Sequence, residues 1–338
     1  MLTTALLVLG ISPALAADVP PLVTADWLAQ RLGDDNLVVL DVRSGIDDGG
    51  DRGSFEAGHI PGSLYSSYTD DGWRETRDGV SGLLPPISSL ERLIGGLGID
   101  NDDTVVIVPA GTGPTDFGSA ARVYWTFKVL SHDEVAILDG GFAGWQAQGH
   151  EVASGTSKRP AFADFQGQLR EDLLATADEV TSARERGSQL VDARPADYFR
   201  GENQSPAATA PGTIPGSRNL PHQTLLGESQ QAWYLDQDVI QSRIREVGLQ
   251  GDRPTVSFCN TGHWAATDWF VLSEIAGFED VSLYDARWPS GRRTRSAPWP
   301  LPSVASARCS RSSGWVAERW REVFQSLSPA SSQWSLSR

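Results

Sequence analysis

Short apolar runs punctuate the chain at residues 37–40, 104–108 and 134–138, and again at 189–191, 255–258 and 281–284. Each is too short for a helix and reads as a buried strand. Longer stretches at 90–97, 119–130, 239–247 and 265–276 lie between them and read as helices. Strands alternating with helices predict an α/β fold, a parallel sheet with helices on both faces. Ligands of such a sheet sit at the carboxyl ends of its strands.

The pattern occurs twice. Leu22-Val23-Thr24-Ala25-Asp26 returns as Leu174-Ala175-Thr176-Ala177-Asp178, and Leu40-Asp41-Val42-Arg43 as Val191-Asp192-Ala193-Arg194. Ile60-Pro61-Gly62-Ser63 returns unchanged at 214–217, and Leu97-Gly98-Ile99 is echoed at 247–249. The order is kept and the offsets stay between 150 and 154 residues, which fits a duplicated domain and is too long for a solenoid repeat. Domains are expected at 20–148 and 173–285, with a polar linker at 149–172. Each should carry its own sheet, and the two should pack face to face across a cleft.

Composition narrows the function. The chain has 338 residues, 40% hydrophobic and 21% charged, enough apolar material for ordinary cores. Its formal charge of -15 disfavours nucleic acid as a partner. The two cysteines are too few for a disulfide scaffold or a cysteine-rich zinc site. None of the five histidines pairs with another at ligand spacing, so no metal and no cofactor is expected.

Both ends stand apart. Residues 2–15 are mostly apolar and Ala14-Leu15-Ala16 is a small-x-small cleavage pattern, which predicts a signal peptide at 1–16 and export to the periplasm. No other stretch is apolar enough to cross a bilayer, so no membrane span is expected after cleavage. Residues 286–338 hold nine arginines and two acids, a net of +7, against -22 for the rest.

The chemistry centres on Cys259. It follows the strand at 255–258, and Cys259-Asn260-Thr261-Gly262-His263-Trp264 leads into the next helix. A strand–loop–helix turn of this size aims successive backbone N–H groups inward and sets a helix N-terminus beside the sulfur. Both favour thiolate over thiol and would cradle any anion there, a persulfide included. Gly262 allows the tight turn. Against this stand a buried structural cysteine and a Cys259–Cys309 disulfide.

These residues together resemble the two-domain rhodanese-type sulfurtransferases. The resemblance covers about residues 20–285. It rests on Asp41-Val42-Arg43, Phe55-Glu56-Ala57-Gly58-His59-Ile60-Pro61-Gly62, Leu138-Asp139-Gly140-Gly141-Phe142, Asp192-Ala193-Arg194 and the Cys259 loop. It implies two tandem rhodanese-like domains, the first without its cysteine, and Pro109-Ala110-Gly111-Thr112-Gly113 at the equivalent place contains none. It implies a persulfide on Cys259 that carries sulfur from thiosulfate to cyanide or a thiol. The partners would be a small sulfur donor and acceptor, with a protein thiol as a further acceptor. The alternatives are a 3-mercaptopyruvate sulfurtransferase and a non-catalytic sulfur carrier. A phosphatase of related fold is disfavoured, because Ala265 and Ala266 stand where phosphoryl oxygens would need an arginine.

The resemblance adds roles for Arg194 and His59, and the loop residues carry readings of their own. Arg194 is the matching position for an anion-binding arginine, or else it forms a structural salt bridge with Asp192 or an acid near the loop. Asn260-Thr261-Gly262 is neither the basic loop of thiosulfate enzymes nor the Gly-Ser-Gly of mercaptopyruvate enzymes. His263 either contacts the donor as imidazolium or faces solvent. Trp264 either walls the pocket or packs between the domains. His59 is a candidate proton relay or a turn histidine. After the last strand the family pattern is Asp-Gly-Ser, then Glu-Trp. Here Asp285 is followed by Ala286-Arg287-Trp288-Pro289. One extra base before a permitted codon set restores Gly-Ser-Met-Ala-Glu-Trp, so 286–338 reads either as a frameshifted tail or as a divergent natural one.

Overall fold

The computed structural model describes residues 19–157, 160–206, 208 and 211–285. The expected leader at 1–16, the tail at 286–338 and Cys309 lie outside the described residues.

The first half runs β1 (Leu22–Val23), α1 (Ala25–Ala29), β2 (Leu37–Asp41), α2 (Arg52–Ala57), β3 (Leu64–Tyr65), β4 (Glu75–Arg77), β5 (Val80–Leu83), α3 (Ile87–Gly96), β6 (Thr104–Val108), α4 (Pro114–Val129), β7 (Val135–Leu138) and α5 (Gly141–Ala147). The second half repeats it as β8 (Leu174–Ala175), α6 (Ala177–Arg186), β9 (Gln189–Asp192), α7 (Ala196–Arg200), β10 (Arg218–Asn219), β11 (Leu226–Ser229), β12 (Ala232–Leu235), α8 (Gln237–Val247), β13 (Thr255–Phe258), α9 (His263–Phe270) and β14 (Val281–Tyr284). Two separate parallel sheets result, ordered β1-β7-β6-β2-β3 and β8-β14-β13-β9-β10. The order is the same in both, so the repeat in sequence is a repeat of topology.

The repeated Thr-Ala-Asp motif is a helix start. The Thr24 hydroxyl accepts the Trp27 N–H at 3.2 Å. In the second copy Thr176 accepts the N–H of Glu179 at 3.2 Å, and the Glu179 carboxylate accepts that of Thr176 at 2.6 Å, a reciprocal capping box.

The faces that meet are helical. Buried residues of both domains form one contiguous apolar cluster that includes Ile107, Phe127, Trp269 and Leu283. Helix α4 is buried nearly all round. Phe270 of α9 packs edge-on against Tyr124 at 4.9 Å and near Phe117 at 5.9 Å. The Tyr124 hydroxyl donates to Glu274 at 2.7 Å. The helix expected at 265–276 begins earlier, at His263, and closes in a single π-helical turn, Val271–Ile275.

Each domain also lends an antiparallel hairpin, β4–β5 and β11–β12, to its neighbour. Leu84, just after β5, donates its N–H to Asp285 at the end of β14 at 2.9 Å. Leu235, ending β12, donates to Asp139 at the end of β7 at 3.1 Å. A Cβ at Gly140 or Gly144 would collide with the Tyr234 ring of the second hairpin.

Candidate active site

All four residues of β13 are buried, and the strand delivers Cys259 to the carboxyl edge of its sheet. Cys259 is a free, half-buried thiol. The chain turns back through Gly262, whose φ of 69° is left-handed, and α9 starts at once. The backbone N–H groups of Asn260, Thr261 and Gly262 have no acceptor among the described residues. The turn is therefore lined with free donors beside a thiol.

The matching loop of the first domain is filled. Val108 pairs with Asp41 as Phe258 pairs with Asp192, so Pro109 takes the place of Cys259. The N–H groups of Gly111 and Ala110 there bond the Asp116 carboxylate at 2.7 and 3.3 Å. Asp47 accepts those of Thr115 and Asp116, at the start of α4, at 2.7 and 3.0 Å. Burial pushes the Asp116 pKa up to about 7 against the pull of the two N–H bonds. One loop holds its own carboxylates; in the other, the N–H groups of Asn260, Thr261 and Gly262 have no such partner among the described residues.

Arg194 lies beside the cysteine loop, and most of its guanidinium is engaged. Nε bonds Asp192 Oδ1 at 2.8 Å, and Nη2 bonds Asp192 Oδ2 at 2.6 Å and the Gly212 carbonyl at 2.8 Å. Nη1 reaches Asn260 Oδ1 at 3.3 Å. Burial works against its charge; the Asp192 bonds, the Asp192 charge and Cys259 outweigh that, and the pKa is raised. Arg43 forms the same fork with Asp41, at 2.9 and 2.6 Å, in the domain that lacks a cysteine. The pairing is thus a property of the fold, and the ion-pair alternative for Arg194 is the one observed. Nη1 alone faces the loop.

His263 is the clearest correction. It was expected either to meet the donor as imidazolium or to face solvent, and it does neither. It is buried between the domains, where its Nε2–H donates to the Thr115 carbonyl at 2.8 Å and its Nδ1 accepts the Tyr68 hydroxyl at 2.7 Å. Burial lowers its pKa to about 3, so the ring is neutral at ordinary pH.

Trp264 packs within its own domain. Its ring stacks on His222 at 4.8 Å, with Tyr198 edge-on at 6.2 Å. It is half-buried and packs against the apolar cluster that the two domains share. His59 is buried, stacks on Phe55 at 4.2 Å and donates from Nδ1 to the Phe55 carbonyl at 2.9 Å. Those contacts are the turn-histidine alternative, and none of its described hydrogen bonds reaches the cysteine loop. The matching Thr213 donates to Asp192 at 2.6 Å.

Sequence reasoning passed over Tyr68, Arg122 and His222. Arg122 alone left a signal, as a cation in the middle of an apolar helical stretch whose other cation, Lys128, stands at its end.

Comparisons with known proteins bear on the family and the fold. A family model described as a rhodanese-like domain matches residues 24–148 and 176–290. The thiosulfate sulfurtransferase of Gallus gallus is 31% identical over 274 residues, covering 79% of this chain and 91% of that protein. Among solved structures, the 3-mercaptopyruvate sulfotransferase SseA of Escherichia coli is 25% identical with a TM-score of 0.67, covering 80% of this chain and 99% of that one. The 3-mercaptopyruvate sulfurtransferase of Leishmania major, at 23% identity and a TM-score of 0.65, shares the fold; the match covers 80% of this chain and 73% of that one.

Proposed function

We propose that this chain, which belongs to the rhodanese-like domain family, is a sulfurtransferase moving a sulfane sulfur from thiosulfate to cyanide or a thiol through a persulfide on Cys259. The Cys259 thiolate attacks the outer sulfur of thiosulfate. The sulfur–sulfur bond of the donor breaks, and sulfite leaves with its electron pair. The acceptor then attacks the outer persulfide sulfur and releases the thiolate, so two half-reactions share one enzyme form and ping-pong kinetics follow.

The observation that carries this reading is the row of free N–H groups at Asn260, Thr261 and Gly262, set beside the filled loop of the sister domain. Free amides stabilise a thiolate, a persulfide and an anionic donor alike. Arg194 Nη1 adds one cationic donor.

A second reading, 3-mercaptopyruvate as donor, is favoured by the absence of Lys and Arg from residues 259–264. Steady-state rates with each donor and cyanide as acceptor decide between them. Intact mass after thiosulfate should show one added sulfur in the wild type and none in Cys259→Ser. A single-turnover persulfide with no steady-state rate would select the sulfur-carrier reading. A protein thiol as acceptor, and export to the periplasm, belong to the same proposal; fractionation of cells that express the full gene tests the second.

A further inference from the structure

Cys259 sits in the second domain, yet the loop that frames it is gripped by the first. Arg122 lies on α4 and is fully buried. Its Nη1 donates to the Gly262 carbonyl at 3.3 Å and its Nη2 to the Gly82 carbonyl at 3.0 Å. The Asp285 carboxylate, also fully buried, lies 3.5 Å from Nη2. A Cβ at Gly262 would collide with Arg122 Nη1, and a Cβ at Gly82 would collide with the Thr261 carbonyl oxygen. Two successive carbonyls of the cysteine loop, those of Thr261 and Gly262, thus point into the first domain.

In a trans peptide the N–H lies opposite the carbonyl that precedes it. Turning the Thr261 and Gly262 carbonyls towards Arg122 and Gly82 therefore turns the N–H groups of Gly262 and His263 the other way, to the concave side of the loop. Glycine is the residue at which a peptide flips most readily, and Gly262 is already left-handed. Without a donor on its carbonyl, this peptide has little to hold its direction. A guanidinium fork reaches two carbonyls and a carboxylate at once, which an ammonium cannot match.

We propose that Arg122 is a positioning residue: from the cysteine-less domain it fixes the direction of the loop peptides and so assembles the amide cradle around Cys259. The proposal rests on reading Cys259 as the reactive thiol. It gives the first domain a role in the reaction without a residue at the reacting atoms.

The test uses the full chain and needs no sulfur donor. The rate of Cys259 alkylation by iodoacetamide is followed against pH in wild type, Arg122→Gln, Arg122→Lys, Gly82→Ala and Tyr124→Phe, the last breaking a different interdomain bond. One charge-assisted hydrogen bond on the cradle corresponds to roughly a tenfold change in thiolate reactivity. Arg122→Gln should therefore alkylate about tenfold more slowly at pH 7, with its profile moved to higher pH, while Tyr124→Phe matches wild type. Arg122→Lys should behave like Arg122→Gln, because orientation rather than charge is lost. A folded Arg122→Gln with the wild-type profile, or full recovery in Arg122→Lys, overturns the proposal. Should Arg122→Gln fail to fold by near-ultraviolet dichroism, Gly82→Ala reads the same loop by pushing on the Thr261 carbonyl. It should shift the profile in the same direction, and an unshifted profile overturns the proposal equally. A shifted profile in a protein that takes no sulfur from thiosulfate or 3-mercaptopyruvate would sink the sulfur-transfer reading and leave Arg122 as the positioning residue of a reactive cysteine.

Discussion

The Asp285 carboxylate accepts the Leu84 N–H at 2.9 Å, and Asp139 accepts that of Leu235 at 3.1 Å, so each domain's last strand caps the other domain's hairpin. The two contacts are equivalent by the duplication, but only one touches the reactive loop. Asp285 also faces Arg122 in a fully buried pair. Asp139→Ala leaves one amide unpaired and should cost about 1–3 kcal/mol. Asp285→Ala leaves a buried guanidinium unpaired as well and should cost about 3–5 kcal/mol. Urea unfolding measures both, and equal losses would contradict the asymmetry.

Arg194 and Arg43 make a matched pair of probes, since each forks onto an aspartate two residues before it. Either arginine changed to alanine strands a buried carboxylate, so both variants should lose about 3–5 kcal/mol of stability. Only Arg194 lies beside Cys259. If Nη1 binds the donor, Arg194→Ala should also lower kcat/KM for thiosulfate roughly 10- to 150-fold, the worth of one charge-assisted hydrogen bond, and spare the cyanide step. Arg43→Ala should leave both steps alone. Equal kinetics in the two variants would leave Arg194 a structural residue only.

What the sequence disclosed follows from how local each feature is. The central strands at 104–108 and 255–258 are buried on both faces, so they stand out as apolar runs. The first hairpin turns at Asp78-Gly79, with φ of 53° and 79°, a dipeptide that signals such a turn in sequence. The second turns at Gln230-Gln231, both left-handed at 52° and 65°, and nothing in a pair of glutamines announces that. Cys259 was legible because strand, glycine and helix are contiguous. The fate of His263 was not, since Tyr68 and Thr115 belong to the other domain. Arg194 stayed open because a side chain two residues from an aspartate suits either partner.

Asp116 gives the filled loop a pH signature. Its folded pKa, raised by burial to about 7, lies above the ordinary carboxylate value of 3.8. A raised pKa means that the native state holds the proton more tightly. Its contribution is therefore complete below about pH 4 and is lost as pH rises through 7. Asp116→Asn mimics the neutral form. The melting temperature of wild type should fall relative to this variant between pH 4 and 7, and parallel curves would contradict the assignment.

His263 carries the opposite sign. Its folded pKa, lowered by burial to about 3, lies below the ordinary 6.5. A lowered pKa means that the native state resists the proton, so the contribution of His263 is complete above 6.5 and is lost as pH falls towards 3. His222, stacked on Trp264 and lowered by burial to about 4, acts in the same window, so wild type alone cannot separate them. His263→Gln removes one titration and keeps groups able to bond Tyr68 and Thr115. Wild type should lose melting temperature relative to His263→Gln as pH drops below 6.5. Because the ring is neutral and both nitrogens are bonded within the protein, the KM for thiosulfate should show no His263-dependent change between pH 6 and 8. A KM that tightens as pH falls through 7 in wild type, and stays flat in His263→Gln, would restore an imidazolium contact with the donor and overturn the buried, neutral assignment.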